Sequence, residues 1–139
     1  MIVLDTNVLS ALMHIEPDRV VLSWLDRQPL ESIWITSITV FEAKFGLELL
    51  PSGRRRMQLE RALELVMQED LAGRVLSFDQ SAAEQAAILA AQRKRAGTPV
   101  DFRDTAIAGI VLARRAMLAT RNRRHFSDAG ISLVDPWTA

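Results

Sequence analysis

The stretch IVLDTNVLSAL, residues 2–12, contains the change of pattern that decides the fold. Its first three residues form an apolar run typical of a buried β-strand, and the apolar positions after Asn7 have helical spacing. Asp5 and Thr6 lie at the junction. Short polar side chains commonly cap a helix N-terminus, but the carboxyl end of a strand also borders the crevice in which open α/β sheets bind ligands. Both interpretations of Asp5 are open at this point.

The alternation of short apolar runs with helical patterns continues along the whole chain of 139 residues. Strands are predicted at residues 2–4, 33–35, 75–76, 117–119 and 131–134. Helices are predicted at residues 6–14, 17–28, 38–50, 54–71, 80–96 and 102–115. This order indicates the α/β class, with a parallel sheet covered by helices on both faces, and the length suits one domain of residues 1–139.

Two histidines and no cysteine limit the metal chemistry of the chain. Disulfides and thiolate sites are excluded, and a zinc site built mainly on imidazole is not expected. A metal would be held by oxygen, which favours Mg²⁺ or Mn²⁺. The lack of disulfides, of a signal-peptide pattern and of an apolar segment of about 20 residues leads us to expect a soluble, cytoplasmic protein with no membrane contact.

The formal net charge is zero, but the charges are unevenly distributed. Nine of the 17 Lys and Arg residues lie between Ala91 and His125, against two acidic residues in the same segment. Such a segment can attract phosphate groups. Each arginine taken singly is more simply explained as a solvated surface residue.

A carboxylate interrupts an apolar face of the helix predicted after the second strand. At about 100° per residue, one face carries Ile38, Phe41, Phe45 and Leu49, and Glu42 lies near its middle. We expect this face to pack on the core. A buried carboxylate is costly unless it is paired, hydrogen-bonded or bound to a metal. Glu42 is therefore either the ion-pair partner of a buried arginine or a metal ligand.

The same helix has a second apolar stripe, formed by Val40, Ala43 and Leu47. We expect this stripe to bind a partner beside an anionic cavity. A second copy of the chain would fit, and so would an amphipathic helix followed by a cationic side chain that reaches the carboxylates. Packing under a neighbouring helix is the alternative.

Two aspartates open the helix predicted at 102–115. Asp101 as N-cap, with Asp104 three residues later, resembles a capping box in which Asp replaces the usual Glu or Gln. Asp104 would then lie in the first turn, where exposed amides favour an anion or a phosphate. Capping explains Asp101, whereas Asp104 fits a cap or a functional site equally well.

A further polar junction, Thr120-Arg121-Asn122, follows the strand at 117–119 and repeats the pattern of the first strand. The carboxyl ends of parallel strands meet at one edge of the sheet, so we expect the carboxylates of Asp5, Glu42 and Asp104 to converge there. Three carboxylates repel one another unless a cation lies between them. The sequence therefore predicts a divalent-metal site, with Thr6 and Asn7 as supporting hydrogen-bond partners.

Taken together, four motifs resemble the PIN-domain ribonucleases, in particular the VapC-type toxins of bacterial toxin–antitoxin pairs and their FitB-like subgroup. The motifs are Asp5-Thr6-Asn7, Glu42 in Thr39-Val40-Phe41-Glu42, Asp104 ahead of Ile107-Ala108, and Thr120-Arg121-Asn122. The resemblance extends from Ile2 to Pro136. Each motif alone is weak, but four in the right order and spacing form a strong signal.

The resemblance implies a five-stranded parallel sheet and an acidic pocket that binds Mg²⁺ or Mn²⁺. Asp5, Glu42 and Asp104 match the family's acidic, metal-binding positions, and Asn122 occupies the fourth, where some members have Asp. An amide supplies no charge, so a tightly held second metal is less expected. The implied reaction is cleavage of RNA by a metal-activated water.

The arginines after the fourth strand suit a different task. Arg121, Arg123 and Arg124 could hold phosphates that flank the scissile bond, while base identity would be read elsewhere. The family also implies a small antitoxin that blocks the pocket, a homodimer, and a larger toxin–antitoxin assembly on operator DNA through the antitoxin.

Two other functions remain open. A catalytically inactive PIN-fold interaction module would keep the fold without the chemistry. A phosphatase of the haloacid-dehalogenase type also begins with Asp after its first strand, but it needs a second Asp two residues later, where this chain has Asn7. A nucleotide-binding P-loop is excluded because no GxxxxGK[ST] occurs.

Overall fold

Five parallel strands form the centre of the protein in the computed structural model, which describes all residues from Met1 to Ala139. The strands are β1 (Ile2–Leu4), β2 (Ile33–Thr36), β3 (Val75–Leu76), β4 (Met117–Ala119) and β5 (Ser132–Val134). Their order in the sheet is β3-β2-β1-β4-β5, and every neighbouring pair is parallel. The direction of winding reverses at β1, so the switch point lies between β1 and β4, at the end of β1 where Asp5 stands.

Six α-helices connect the strands. They are α1 (Thr6–Met13), α2 (Arg19–Asp26), α3 (Ser37–Leu49), α4 (Arg54–Leu65), α5 (Gln80–Arg95) and α6 (Phe102–Arg114). A π-helical turn at Val66–Asp70 extends α4, and 3₁₀ turns cover Leu30–Ser32 and Arg123–His125. The predicted α/β class is confirmed, although these short turns were not predicted. No helix combines the length and the apolar character that crossing a membrane would require.

The core has two parts because neighbouring residues of a strand point to opposite faces of the sheet. Leu4 belongs to the cluster under α1, α2, α3 and α4, whereas Val3 belongs to the cluster under α5 and α6. On the second face, α5 and α6 pack closely at Gly109. A Cβ there would lie 2.5 Å from the Ala82 carbonyl oxygen and 2.7 Å from the Ala86 Cβ, so only glycine fits. Helices therefore cover both faces, as predicted.

The orientation of α3 differs from the prediction. Phe41 and Phe45 stack at a ring-centroid distance of 5.8 Å on the protein surface, where they are 56% and 47% exposed. Leu49 is 70% exposed, and only Ile38, which is partly buried, packs against the core. The predicted core face of α3 is thus mostly a surface face.

The stripe of Val40, Ala43 and Leu47 packs inside the protein instead. Leu47 is 5% exposed, and the other two are partly buried against the same cluster. The stripe is thus mainly internal packing, the alternative left open above, although Ala43 and Leu47 also line a groove between α1, α3 and α4. The stripe faces inward because of the rotation of α3 about its own axis. This rotation is set at the start of the helix, where Thr36 is the N-cap and the fully buried Thr39 donates its N–H to the Thr36 hydroxyl.

Two leucines on α3 provide a matched test of this rotation. Leu47→Ala should lower the free energy of unfolding by about 2–4 kcal/mol, because it leaves a cavity in the core. Leu49→Ala removes the same atoms from an exposed site and should change it by less than about 0.5 kcal/mol. Urea denaturation of both variants measures the difference. Equal costs for the two would contradict the observed orientation.

Candidate active site

Asp5 is a buried carboxylate at the switch point of the sheet, with 4% of its surface exposed. Its Oδ1 accepts the Thr6 N–H at 2.8 Å, and its Oδ2 accepts the Thr120 hydroxyl at 2.8 Å. The Asn7 side-chain amide lies 3.4 Å from the same Oδ2. The carboxylate is thus held by the start of α1 and by the residue that follows β4. Asp5 caps α1 and also lies at the carboxyl end of β1. Its position therefore fits both interpretations drawn from the sequence, a helix cap and a residue of a ligand-binding crevice.

The surroundings of Asp5 raise its pKa. The pKa is raised from 3.8 to about 6, mainly by burial and also by the charges of Asp104 and Glu42, while hydrogen bonds from Thr120 and Thr6 act to lower it. Glu42 and Asp104 are thus close enough for their charges to act on Asp5, and the convergence of the three carboxylates on a metal stays a prediction. Their roles in metal binding and catalysis remain predictions.

Glu42 is held at this edge by a hydroxyl group from α1. The Thr6 Oγ1 donates to the Glu42 Oε1 at 2.7 Å and lies 3.1 Å from the Thr39 Oγ1. The side chain is 21% exposed, and the Arg103 Nη1 lies 3.8 Å from its Oε2. Glu42 is thus half-buried rather than central to a core face, and its cationic neighbour is a partly exposed arginine instead of a buried one.

Asp104 lies in the first turn of α6, one turn after the residue that caps the helix. Asp101 is the N-cap and accepts the Arg103 N–H at 2.8 Å. The Asp104 Oδ2 lies 2.9 Å from the Nδ1 of His125, a residue that the sequence interpretation did not single out. No local pattern marks His125, because its contact with Asp104 arises only when the segment after β4 folds back over α6.

The segment after β4 carries the remaining predicted residues. Thr120 is fully buried, and its hydroxyl accepts the Asn122 N–H at 2.9 Å in addition to donating to Asp5. The Asn7 Oδ1 accepts the Arg121 N–H at 3.3 Å. Asn122 itself is exposed, and its side chain lines a cleft of about 340 Å³. Thr120 and Asn7 thus join this segment to the end of β1.

The cleft beside Asn122 is lined otherwise by cations and by one histidine: Arg121, Arg123, Arg124 and His125. The Arg121 guanidinium lies 4.5 Å from the centre of the Trp137 ring and forms a cation–π contact. Arg123 and Arg124 are exposed in the 3₁₀ turn. A basic cleft adjoining Asp104 through His125 has the charge that a phosphate backbone requires.

Arg93 does not belong to this basic surface, although it lies in the basic segment between Ala91 and His125. It is 2% exposed, and its guanidinium donates to both carboxylate oxygens of Asp128 at 2.8 and 2.9 Å. It also donates to the Thr105 hydroxyl at 2.9 Å and to the His125 carbonyl oxygen at 2.6 Å. The guanidinium lowers the pKa of Asp128 by this hydrogen bonding. Arg93 therefore ties the segment after β4 to α5 and α6.

The donor set around Asp5 fits a hard divalent cation. Carboxylate, hydroxyl and amide oxygens are the ligands that Mg²⁺ and Mn²⁺ prefer. As the side chains stand, no three acidic, histidine or cysteine residues are close enough together to hold a metal ion. Glu42 has Arg103 as a neighbour and Asp104 has His125, so both carboxylates are engaged by groups of this chain.

The fold and this acidic edge define a known class of protein. The chain matches the PIN-domain family over residues 2–131 and belongs to that family. It is 44% identical to the VapC ribonuclease Y4jK of Sinorhizobium fredii, over 99% of this chain and 98% of the relative. It is 34% identical to the toxin FitB of Neisseria gonorrhoeae, over 99% of each chain.

A solved structure agrees with this assignment. The structure of FitAB bound to an IR36 DNA fragment superposes with a TM-score of 0.88 at 33% identity, covering 99% of this chain and 96% of that one. The predicted PIN-domain family and fold are confirmed. Membership of this family sets aside the haloacid-dehalogenase alternative.

The raised pKa of Asp5 predicts how the stability of the metal-free protein depends on pH. Because the folded carboxyl has a pKa of about 6 and the ordinary value is 3.8, the folded state binds a proton that the unfolded chain lacks between these pH values. Stability should therefore increase by about 1 kcal/mol as pH falls from 7 to 5. Urea unfolding in EDTA at both pH values measures this change.

Asp5→Asn provides the control for the pH effect. The amide cannot ionise, so the variant should lack the Asp5 contribution and should be more stable than the native protein at pH 7 by about 1–2 kcal/mol. Asp18, Asp101 and Asp128 have lowered pKa values, so their stabilising effect is lost only below the ordinary value of 3.8, outside this range. The same pH dependence in both proteins would contradict the assignment to Asp5.

Proposed function

We propose that this chain is a Mg²⁺- or Mn²⁺-dependent endoribonuclease that serves as the toxin of a toxin–antitoxin pair. The observation that carries the proposal is the link that Thr6 makes between two of the expected ligands at the switch point of a PIN-domain sheet, since its N–H bonds Asp5 and its hydroxyl bonds Glu42. A relative named as a VapC ribonuclease, at 44% identity, supports the same activity.

Asp5 and Asp104 would hold the cation, together with Glu42. When bound there, a divalent metal supplies a Lewis acid that polarises the scissile phosphate and makes water more acidic. The buried Asp5 carboxylate is already fixed by two hydrogen bonds, so it needs no reorganisation to act as a ligand. A positive charge at this point would also relieve the repulsion that contributes to its raised pKa.

Glu42 is suited to position a water or to accept its proton. The Thr6 hydroxyl bonds its Oε1, which fixes the carboxylate at the pocket edge, and the side chain is 21% exposed. General-base catalysis requires a carboxylate held in this way, within reach of both solvent and substrate. Asn122 could orient water through its amide but adds no negative charge.

Arg123 and Arg124 would bind the phosphates that flank the scissile bond. Both are exposed in the cleft beside Asp104, whereas Arg121 has a partner in Trp137. We therefore assign most of the phosphate binding to the first two, with Arg121 fixing one side of the cleft. This arrangement binds backbone rather than bases, so it would hold RNA without selecting a sequence.

The ribonuclease proposal predicts metal-dependent cleavage that requires the pocket carboxylates. Asp5→Asn and Asp104→Asn should each slow Mn²⁺-dependent cleavage of total RNA at least about 100-fold, since each removes a charged ligand. Asp79→Asn is the matched control, because Asp79 caps α5 and pairs with Arg114 and Asn caps a helix equally well. Gel assays with Mn²⁺ and with EDTA give the rates.

Two results would contradict this proposal in different ways. Undiminished cleavage by the Asp5 or Asp104 variant would place the active site elsewhere. A native protein that binds Mn²⁺ but cuts no RNA would favour the inactive interaction module.

We further propose that a small antitoxin binds the groove between α1, α3 and α4. The groove has a volume of about 210 Å³ and runs from Thr6 and Glu42 at the pocket, past Gly46, to Leu50 and Leu59. Apolar walls with an acidic end suit an amphipathic segment followed by a cationic side chain. Two solved complexes each contain a protein similar to this chain. One is the FitAB structure, and the other is the DNA-bound VapBC of Salmonella typhimurium, which is 28% identical with a TM-score of 0.77.

The expected homodimer remains a prediction, but its place on α3 changes. Because the stripe through Leu47 is internal, we assign the contact between two copies to the exposed face of Phe41, Phe45 and Leu49. Operator DNA would then be bound through the antitoxin, on a surface that this chain does not supply.

Gly46 allows the groove to be blocked without disturbing the core. A Cβ built at this residue meets no atom within 4 Å, so a larger side chain has room to extend into the groove. Gly46→Trp should weaken binding of the antitoxin, sought as the product of a small gene immediately upstream, at least about tenfold, by filling a pocket that a partner side chain needs. Gly46→Ala, the matched control, should leave binding unchanged.

Co-purification and calorimetry of both variants with that partner measure the effect, and thermal unfolding confirms that each is folded. Native-like binding by Gly46→Trp would place the antitoxin elsewhere on the protein.

A further inference from the structure

Arg103 extends from the first turn of α6 toward the acidic pocket. Its Nε lies 3.2 Å from the Asp101 Oδ1 and its Nη2 lies 3.4 Å from the Asp101 Oδ2. The remaining nitrogen, Nη1, lies 3.8 Å from the Glu42 Oε2. The guanidinium therefore bridges the helix cap and one of the three pocket carboxylates.

The two contacts of Arg103 differ in kind. Asp101 holds the guanidinium by hydrogen bonds on two nitrogens, which fixes its plane. At 3.8 Å the Nη1 is too far from Glu42 for a good hydrogen bond, so that contact is an electrostatic attraction. A guanidinium has five N–H groups, and those of Nη1 stay available to a stronger acceptor. The side chain is 42% exposed, so a ligand can reach it from solvent.

We propose that Arg103 is the internal counter-ion of the pocket and a phosphate-binding residue: it neutralises Glu42 in the metal-free protein and binds a phosphate of the RNA once Glu42 serves the divalent cation. This inference rests on the proposed ribonuclease function. A phosphate oxygen is the natural replacement acceptor because it is anionic and matches the planar guanidinium.

Arg103 should therefore oppose metal binding and favour RNA binding, two effects of opposite sign. A positive charge beside Glu42 repels a divalent cation, and by Coulomb's law near a protein surface its removal should tighten metal binding about fivefold. Loss of one phosphate contact should weaken RNA binding about tenfold. An arginine that served only to stabilise the fold would not change the two affinities in opposite directions.

Asp101 offers a second way to alter the same balance. Asn caps helices as well as Asp, so Asp101→Asn should preserve α6 while removing the charge that holds the guanidinium away from the pocket. The freed guanidinium then interacts more strongly with Glu42. We expect this variant to bind the divalent cation about threefold more weakly, the opposite of Arg103→Ala.

The experiment measures Mn²⁺ binding to the full chain by calorimetry in the absence of RNA, and then the KM for cleavage of an RNA oligonucleotide at saturating Mn²⁺. Arg103→Ala should lower the Mn²⁺ dissociation constant about fivefold and raise the KM about tenfold. Arg103→Lys keeps the charge and should restore the native Mn²⁺ affinity. Arg114→Ala is the matched control, because Arg114 lies on the same helix, is 43% exposed and pairs with Asp79. It should change neither quantity.

The outcomes separate this inference from the function on which it rests. If the native protein binds Mn²⁺ and cleaves RNA but Arg103→Ala leaves the Mn²⁺ affinity unchanged or weakens it, the counter-ion role is wrong and the ribonuclease proposal stands. If the KM is unchanged, Arg103 does not bind the substrate phosphate. If the native protein does not bind Mn²⁺, both proposals are wrong.

Discussion

The hydrogen bond between the Thr120 hydroxyl and the buried Asp5 carboxylate, 2.8 Å long, is the contact on which the functional edge depends. It joins the end of β1 to the residue after β4, across the switch point of the sheet. The carboxylate lies in a site where burial disfavours its charge, and the pKa of about 6 reflects this cost. The apolar clusters on both faces of the sheet, which contain Val3 and Leu4, supply the stability that keeps it there. The buried position that the proposed function requires of the Asp5 carboxylate is thus one that lowers the stability of the fold.

Neutral hydrogen-bond donors and cationic groups occupy different places around the carboxylates. Neutral donors lie inside: the Thr120 hydroxyl and the Thr6 backbone N–H bond Asp5, and the Thr6 hydroxyl bonds Glu42. They fix the carboxylates without cancelling their negative charge. Arg103 and His125 lie at the rim, 42% and 47% exposed, beside Glu42 and Asp104. A divalent cation bound as we propose would therefore compete with exposed groups of the chain and leave the inner hydrogen bonds intact.

Local signals account for what the sequence predicts well. Asp5, Thr120 and Asp101 lie directly beside an element boundary, so their positions follow once the strand or helix is recognised. The rotation of α3 could not be predicted, because both of its stripes are apolar and periodicity alone cannot choose between them. Glu42 reaches the pocket even so, since it lies between the two stripes and faces Thr6.

Contacts between distant segments could not be predicted from the sequence, for a different reason. Arg93 has the same charge as its exposed neighbours in the sequence, and nothing local shows that it is 2% exposed and bonded to Asp128. The contact of His125 with Asp104 likewise requires the segment after β4 to be in place. Burial of an arginine is tolerated only when its partners are supplied by the folded chain, and that requirement is a property of the tertiary structure.

The Arg93 network also determines which parts of the functional edge can adjust. Its guanidinium has four hydrogen bonds, to Asp128, Thr105 and the His125 carbonyl oxygen, and removing any partner would leave a buried charge less well satisfied. The backbone of the segment that carries His125 is therefore fixed. Arg103, at the start of α6, is held to Asp101 by exposed contacts. Arg103 and the exposed imidazole of His125 are thus the side chains that can change partners at least cost, and a cation bound as we propose would displace these side chains without moving the backbone after β4.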